Sequence, residues 1–505
     1  MRTKLIALFA VAVVLAGTGI YALASLNKDS TDRAIELVPA DAVLYTHVFV
    51  KPSVNQRKAL RGLLAHFPHA PEADEALDPL FGLIDQGLEQ YDMTYEEDIK
   101  PWLGDQMAIF LTGPQSGAVL IGTEDAEATE DFIAAINEVE GIKIEPKTYE
   151  GVEYQFMQGG AYAFIDDFMV SAPEEDLRSV IDVHAGGRSL ADVDRYTDIE
   201  QELVADRIFT MYLDTEGLVE MIGSAGVPGF AGPTDEMSDV GSAMLAGYLR
   251  DDAVVFELAG PTGELPIPTG PFDLSDGVPS DAWFALGSPG VGKTLESSLE
   301  SFAGASGASL EALLGEFTAQ TGFDLRTDFL SWMEDLRIYV RGTGLLNFGG
   351  AVSIGSSDPA ASREAVDQLM ALALQEGFPS QPVEIAGIES YAISIPGSPQ
   401  PIVVVPGDRV VISYGEAAAE DALDPDEPLS TSEGFASALE KLGDGMDAYF
   451  FLDIDAVQGL VENFLPPVDL YVNEVKPWLD PIAHVIAGSK FSDDSYLVRF
   501  VIGVE

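Results

Sequence analysis

The sequence contains no cysteine and few basic residues. Its 505 residues include 26 Lys and Arg against 84 Asp and Glu, a formal net charge of −58 at pH 7. Without cysteine, the chain has no disulfide, thiolate nucleophile, cysteine zinc site or lipid-modified cysteine. The negative charge repels the nucleic-acid backbone, so we expect no nucleic-acid partner. A hydrophobic content of 47% nevertheless predicts folded domains with real cores.

Histidine is also scarce, with five in the chain. His66 and His69 in HFPH lack further ligands of the kind that zinc needs, so we expect surface histidines. The acidic stretches DALDPDEP around Asp424 and DVDRYTD around Asp192 do not follow the EF-hand order, and we expect them to be solvated loops. Calcium-dependent surface assembly or adhesion is kept as an alternative. No GxSxG, HExxH or Cys/His pair is present. We therefore predict no catalytic residue, no metal and no cofactor, and favour a non-enzyme.

Only one stretch of the chain approaches the length of a membrane span. Arg2 and Lys4 precede an uncharged run from Leu5 to Asn27, and this order is typical of an export signal. The sequence Ala22-Leu23-Ala24 resembles a signal peptidase site, while the run is almost long enough to cross a bilayer. We expect residues 1–30 to form an uncleaved single-pass anchor in the cell membrane, with the chain after Lys28 outside the cytoplasm. Cleavage, giving a secreted protein, is the alternative.

The stretch ALGSPGVGKTLESSLESF matches the phosphate-binding pattern GxxxxGK[ST], with Gly287, Gly292, Lys293 and Thr294 at the defining positions. In a P-loop, inward-pointing backbone amides hold the phosphates, Lys binds the outer phosphates and the hydroxyl binds magnesium. A strand over Trp283 to Leu286 and a helix over Leu295 to Phe302 would give the required context. Nucleotide binding is therefore an alternative function.

The chain contains an internal repeat in which seven segments recur in the same order. LVPADAVLYTHV at Leu37 corresponds to GVPSDAWFALGS at Gly277, and EEDIKPWLGDQ to RTDFLSWMEDL. These alignments pair Asp98 with Asp328, Trp102 with Trp332 and Asp105 with Asp335. A third alignment, of GTED with GSSD, pairs Asp125 with Asp358. The Pro- and Gly-rich stretch between the halves reads as a linker. We predict a first repeat over residues 31–260, a linker over 261–275 and a second repeat over 276–505.

The repeat argues against the nucleotide interpretation. Where the second half has LGSPGVGKTLESSLESF, the first has THVFVKPSVNQRKALRGLLAHF, without GK[ST]. In both copies the region reads as a strand, a turn and a helix, so Gly290 and Gly292 are explained as turn residues. We therefore favour no cofactor-binding residue.

Each half combines short strands with amphipathic helices. A helix beginning at Asp125 would bury Phe132, Ile136 and Val139, and its counterpart beginning at Asp358 would bury Val366, Leu369, Met370 and Ala373. Turns such as YEGVEY and IDDF predict antiparallel hairpins over residues 143–171. We also expect Trp478 to be buried. The predicted fold class is α+β, with two tandem related halves of mostly antiparallel sheet packed by helices.

The basic-then-apolar start, LVPADA, NQRKAL and DIKPWLGD together resemble an uncharacterised family of bacterial membrane-anchored proteins, known as a domain of unknown function. The resemblance covers essentially the whole chain after the anchor. It implies an exported, anchored protein and supplies no catalytic residues. We expect a non-catalytic binding or structural module of the bacterial envelope. Its partners would be the membrane, through the N-terminal segment, and an envelope protein or small ligand.

Overall fold

The computed structural model describes residues 31–70, 78–157, 159–225, 241–262, 272–306, 309–344, 347–464, 471–492 and 494–505. The chain divides into two compact units. Unit 1 comprises residues 1–230 and 237–263, and unit 2 comprises residues 231–236 and 264–505. The predicted anchor at residues 1–30 and most of the predicted linker lie outside the described residues. Among the described helices, none is both long enough and apolar enough to cross a membrane.

Unit 1 combines antiparallel strands with short helices. Its strands are β1 (Leu44–Phe49), β2 (Leu103–Gly113), β3 (Ser116–Thr123), β4 (Ile144–Tyr149), β5 (Val152–Met157), β6 (Gly160–Ile165), β7 (Phe168–Ala172), β8 (Phe209–Asp214), β9 (Ser242–Arg250) and β10 (Ala253–Pro261). Its α-helices are α1 (Val54–Leu64), α2 (Asp78–Leu88), α3 (Ala126–Glu140), α4 (Glu174–His184), α5 (Asp194–Glu200) and α6 (Thr215–Ala225). Shorter helical turns occupy Ala34–Leu37, Glu89–Tyr91, Tyr95–Ile99 and Leu190–Asp192.

Hydrogen bonding orders the unit 1 strands as β4-β5-β6-β7-β3-β2-β1-β8-β9-β10, each antiparallel to its neighbours. Helices cover both faces of this sheet. On one face, Tyr45 and Tyr212 are fully buried and lie beside Tyr196 of α5. On the other, Trp102 and Ile109 pack against α2, α3 and the turn Tyr95–Ile99.

Unit 2 is built from the same kinds of element. Its strands are β11 (Ala282–Ser288), β12 (Met333–Arg341), β13 (Gly349–Ser356), β14 (Ser380–Ile385), β15 (Ile388–Ile393), β16 (Ile402–Val405), β17 (Arg409–Tyr414), β18 (Asp447–Asp453), β19 (Ile482–Phe491) and β20 (Ser495–Val504). Its α-helices are α7 (Val291–Ser306), α8 (Leu310–Thr321), α9 (Pro359–Gln375), α10 (Glu416–Leu423), α11 (Glu433–Leu442), α12 (Ile454–Phe464) and α13 (Lys476–Leu479). Shorter helical turns occupy Leu325–Leu330, Leu429–Thr431 and Tyr471–Val475.

The unit 2 strand order is β14-β15-β16-β17-β13-β12-β11-β18-β19-β20, again antiparallel throughout. Tyr339 is fully buried, and its hydroxyl donates to the carbonyl of Ala418 in α10 at 2.6 Å. Trp332 packs in a cluster with Phe329 and Val366 of α9. The prediction of mixed helix and antiparallel sheet is confirmed.

The hairpins predicted over residues 143–171 are present. β4 joins β5 through Glu150 and Gly151, which have φ angles of +47° and +85°. Two successive positive φ angles are typical of the two-residue hairpin turn whose twist matches that of the strands. Ala386 and Gly387, with φ angles of +51° and +80°, form the same turn between β14 and β15.

Several predictions of buried side chains were wrong. Val139 is 61% exposed and Leu369 is 38% exposed, whereas Ile136 and Val366 are buried as predicted. Val139 lies in the last turn of α3. Trp478, expected in the core, is 43% exposed in α13. The stripes were extended by periodicity alone, which does not show where a helix leaves its partner surface.

Candidate functional site

The described surface contains a polar cleft in unit 1, with a volume of about 380 Å³. The cleft lies at one end of the unit 1 sheet. It is formed by the start of β2, the connection from β3 to α3, and the turn from β6 to β7. Its lining residues are Arg33, Gly104, Asp105, Thr123, Glu124, Ala126, Asp166 and Asp167. Four of these eight residues are Asp or Glu, so the cleft is acidic.

Arg33 crosses this cleft and joins two of its carboxylates. One guanidinium nitrogen lies 2.6 Å from Asp105 Oδ1, and another lies 2.5 Å from Asp167 Oδ2. Asp105 is 7% exposed, so its charge is largely removed from water and depends on the guanidinium for compensation. Lys51 similarly donates to Glu124 at 2.6 Å and to the carbonyl of Leu103 at 2.8 Å.

A buried polar network beneath Arg33 holds the first described residues against the sheet. The side-chain amide of Gln106 donates to the carbonyl of Thr31 at 2.8 Å, and its oxygen accepts from the backbone N–H of Arg33 at 3.0 Å. The Tyr45 hydroxyl donates to Asp32 Oδ2 at 2.6 Å. His47 Nε2 lies 3.2 Å from Gln106 Oε1 and 3.5 Å from Asp32 Oδ1. We call Thr31, Asp32, Arg33, Tyr45, His47, Asp105 and Gln106 the clasp.

Burial sets the protonation of the clasp. Removal from water raises the pKa of the Tyr45 hydroxyl well above 10.0, and the neighbouring Asp32 adds to the shift. Removal from water also lowers the pKa of His47 below 6.5, against the opposing effect of Asp32. Both acceptors facing His47 Nε2 require a proton on that nitrogen, so neutral His47 acts there as a donor. The arrangement fixes a chain segment and keeps its polar groups paired.

Unit 2 contains a related polar cluster around Asp335. Arg337 and Arg409 both pair with Asp335, and Arg409 Nη2 lies 3.0 Å from its Oδ2. Arg337 is 6% exposed, stacks on the Phe272 ring at 5.0 Å, and has its pKa lowered by burial. Arg337 therefore holds the segment before β11 by stacking on Phe272. Among the described residues, no histidine takes part, in contrast to the clasp of unit 1.

The residues of the P-loop pattern belong to an antiparallel strand and to the turn that begins the next helix. Gly287 lies in β11, whose neighbours β12 and β18 both run antiparallel to it. The amides of Lys293 and Thr294 both donate to the Gly290 carbonyl, at 3.1 and 3.2 Å. The Thr294 hydroxyl bonds to the same carbonyl at 3.3 Å, and Lys293 is exposed. Two of the amides that a phosphate would need, and the hydroxyl that its magnesium would need, are thus engaged within the turn.

The histidines and the acidic stretches around Asp192 and Asp424 do not form a common site in the described residues. Among the described residues, no group of three or more His, Asp or Glu is placed to hold a metal. The Asp192 carboxylate accepts from the amide and hydroxyl of Ser189, and these bonds lower its pKa. Asp424 follows the last residue of α10. Of the two histidines expected at the surface, His69 is exposed and His66 is half-buried. His47 and His484, which were not singled out, are buried, at 1% and 2% exposed.

Sequence reasoning missed Asp32, Arg33 and Gln106. The internal repeat, which pairs Asp105 with Asp335, was the feature of the sequence that indicated Asp105. Its partner Arg33 is 72 residues away along the chain, so no local pattern connects the two.

A family model described as a protein of unknown function (DUF3352) matches residues 5–499. The chain belongs to this family. The DUF3352 match covers most of the chain, so the resemblance to a domain of unknown function is confirmed. No curated protein matches the chain.

Solved structures similar to the DUF3352 chain include two crystal forms of TP0453. Form I is 10% identical, with a TM-score of 0.27, and covers 47% of this chain and 82% of that one. Form III is 10% identical, with a TM-score of 0.26, and covers 48% of this chain and 84% of that one. Likeness at this level carries no argument about function.

Proposed function

We propose that this DUF3352 protein is an extracytoplasmic module of the bacterial envelope, anchored in the cell membrane by residues 1–30. It consists of two tandem related α+β units and acts by binding an envelope partner or small ligand, or as a structural element, without catalysis. The basic-then-apolar N-terminus supports the location, and the likeness of the two units supports the duplication. The clasp is the single observation that carries the anchored role.

The clasp supports a stiff connection to the membrane. The uncharged run ends at Asn27, and the hydrogen bonds of the clasp begin at Thr31. At about 3.5 Å per residue, the four steps between these residues span at most about 14 Å. Asp105 and Gln106 therefore hold unit 1 close to the point where the proposed anchor ends. A protein that only needed to be tethered would be served by a longer flexible linker.

The likeness of the two units supports a tandem duplication. Their strand orders are the same when each unit 1 strand is matched to the strand ten positions later. In both, the tryptophan indole donates to the carbonyl four residues earlier, from Trp102 to Asp98 at 2.5 Å and from Trp332 to Asp328 at 2.7 Å. Asp125 and Asp358 cap corresponding helices with their side chains.

One set of substitutions between the units is complementary in volume. Aligning LVPADA with GVPSDA sets Asp32 against Phe272 and His47 against Gly287. The strand neighbour of His47 is Ala108, and that of Gly287 is Arg337. Unit 1 thus has a large side chain beside a small one, and unit 2 has Phe272 and Arg337 filling the space that glycine leaves open. Coordinated exchange of this kind is expected in a duplicated core that keeps its packing density.

A pair of reporter fusions tests the proposed location. A reporter active only after export and one active only in the cytoplasm are each fused after Glu505. We expect activity from the first alone, and loss of that activity when residues 5–27 are deleted. Activity from the cytoplasmic reporter alone would contradict the proposal.

A further inference from the structure

One part of this acidic chain is basic. Residues 42–71 contain no Asp or Glu, although the chain has 84 acidic residues. The stretch contains both β1 and α1. Its Lys and Arg residues are Lys51, Arg57, Lys58 and Arg61. Lys51 is paired with Glu124. Within the described part of the chain, no carboxylate pairs with any of the three cations of α1, so their charge is available to a partner.

Helix α1 presents two of these cations on its outer face. Gln56, Leu60 and Leu63 are buried against the unit. Val54, Lys58 and Arg61 follow at the i, i+4 and i+7 positions of the opposite stripe and are exposed. Val54 is 52% exposed. The Cβ of Asp251 lies 2.5 Å from the position that a Cβ at residue 62 would take. Among the described residues, no ion pair joins the Asp251 carboxylate to Lys58 or Arg61.

The clasp and α1 lie at the same end of the unit 1 sheet. Gln106, which holds Thr31, pairs with Phe49 at the end of β1. The Lys51 amide then donates to the Asp105 carbonyl at 3.2 Å, and α1 begins three residues beyond Lys51, with Ser53 as the capping residue. The Gln56 side chain accepts from the Leu249 amide at 2.8 Å, near the turn from β9 to β10. Helix α1 therefore crosses the sheet end to which the proposed anchor leads.

We propose that α1 is a membrane-docking surface whose exposed cations bind the phosphates of anionic lipid headgroups beside the anchor. This inference rests on the proposed anchored location. Charge complementarity selects the partner, because Lys58 and Arg61 are attracted to an anionic bilayer that repels the rest of the chain. Attraction at such a surface acts only over about one Debye length, roughly 8 Å at physiological salt. The short connection at Thr31 is what keeps α1 within reach of the headgroups.

Energy transfer from α1 to the bilayer tests this orientation in the full chain. Because the chain has no cysteine, Ala65→Cys provides a single thiol for a fluorescent donor at the exposed end of α1. The protein is reconstituted into vesicles carrying a headgroup-linked acceptor, made either of phosphatidylcholine alone or with phosphatidylglycerol added. We expect higher transfer in the anionic vesicles, and a decrease when salt is raised.

A charge-reversed helix and a matched control identify the contact. The double variant Lys58→Glu/Arg61→Glu is expected to reduce the docked fraction roughly tenfold or more, since each basic residue at an anionic surface contributes appreciable attraction. Lys143→Glu/Lys490→Glu makes the same change in net charge at two exposed positions outside α1 and is expected to dock like the parent. Equal loss in both double variants would overturn the proposal. Equal transfer in both lipid compositions would also overturn it. So would transfer that rises with the number of protein molecules per vesicle, which would indicate that α1 contacts a second copy of the chain.

Flotation on the same vesicles separates this inference from the proposed function. A protein that stays with phosphatidylcholine vesicles after a salt wash is anchored, whatever α1 does. A protein that floats only with anionic vesicles, and no longer does so as Lys58→Glu/Arg61→Glu, would contradict the anchor and support docking. A protein that floats with neither vesicle would contradict both.

Discussion

The phenyl ring of Phe272 packs over Gly287, and its Cε1 lies 2.6 Å from the position that a Cβ at residue 287 would take. A glycine that matched a nucleotide-binding pattern is thus required by a neighbouring ring. In unit 1 the corresponding position holds His47, whose ring makes part of the clasp.

Gly287→Ala is expected to destabilise unit 2, because the added methyl overlaps the Phe272 ring. Overpacking of this kind typically costs about 1–3 kcal/mol. Phe272→Leu in the same chain should recover part of the loss. Gly315→Ala in α8 is the matched control, since nothing lies within 4 Å of its Cβ position. There alanine should be neutral or stabilising by up to about 1 kcal/mol. Thermal unfolding of the variants measures both effects, and an unchanged midpoint for Gly287→Ala would refute the packing account.

Nucleotide is expected to leave the protein unchanged. The Thr294 hydroxyl and the amides of Lys293 and Thr294 already bond to the Gly290 carbonyl. Thermal unfolding with magnesium and ATP should therefore match unfolding without them, in the parent and in Lys293→Ala alike. Stabilisation by ATP that Lys293→Ala removes would return the nucleotide interpretation to consideration.

His47 makes the stability of unit 1 depend on pH. Its pKa is below 6.5 in the folded protein because of burial, so the unfolded chain binds the proton more readily. The free energy of unfolding should therefore decrease as pH falls through about 6.5, by up to about 1.4 kcal/mol per pH unit, until the folded-state pKa is reached. Above this range His47 is neutral in both states and adds no slope.

Denaturant unfolding between neutral and mildly acidic pH measures this dependence. His47→Gln keeps a side-chain N–H and cannot take up the proton, so its curve should be flatter than that of the parent. His66→Gln, at a half-buried position beyond α1, is the matched control for the loss of a histidine. A parental slope in His47→Gln would show that another group is responsible.

The two helix caps offer a paired test of the duplication. Asp125 accepts from the Ala128 amide at 3.1 Å, and Asp358 accepts from the Ala360 and Ala361 amides, both at 3.1 Å. Replacing each by Ala should cost about 1 kcal/mol, the usual value for a capping residue. Urea unfolding followed in each unit separately should show equal losses. A loss confined to one unit would mean that the two caps are not equivalent.

Local patterns predicted much of the secondary structure and none of the long-range polar pairing. The hairpin at Glu150 and Gly151 is encoded in adjacent residues, and turn chemistry was enough to find it. Trp478 was assigned to the core because of its size, but side-chain size does not reveal which surfaces a helix meets. No local pattern indicated the buried role of His47, because its acceptors, Asp32 and Gln106, are brought to it only by the folded sheet.

The labelling of single cysteines in intact cells tests the central claim of an anchored protein outside the cytoplasm most directly. Ala65→Cys in unit 1 and Ala371→Cys in unit 2 are both exposed, and the chain has no other thiol. A membrane-impermeant maleimide should label both before lysis, while Thr3→Cys, on the cytoplasmic side of the proposed anchor, should react only after lysis. Labelling of all three only after lysis would contradict the account.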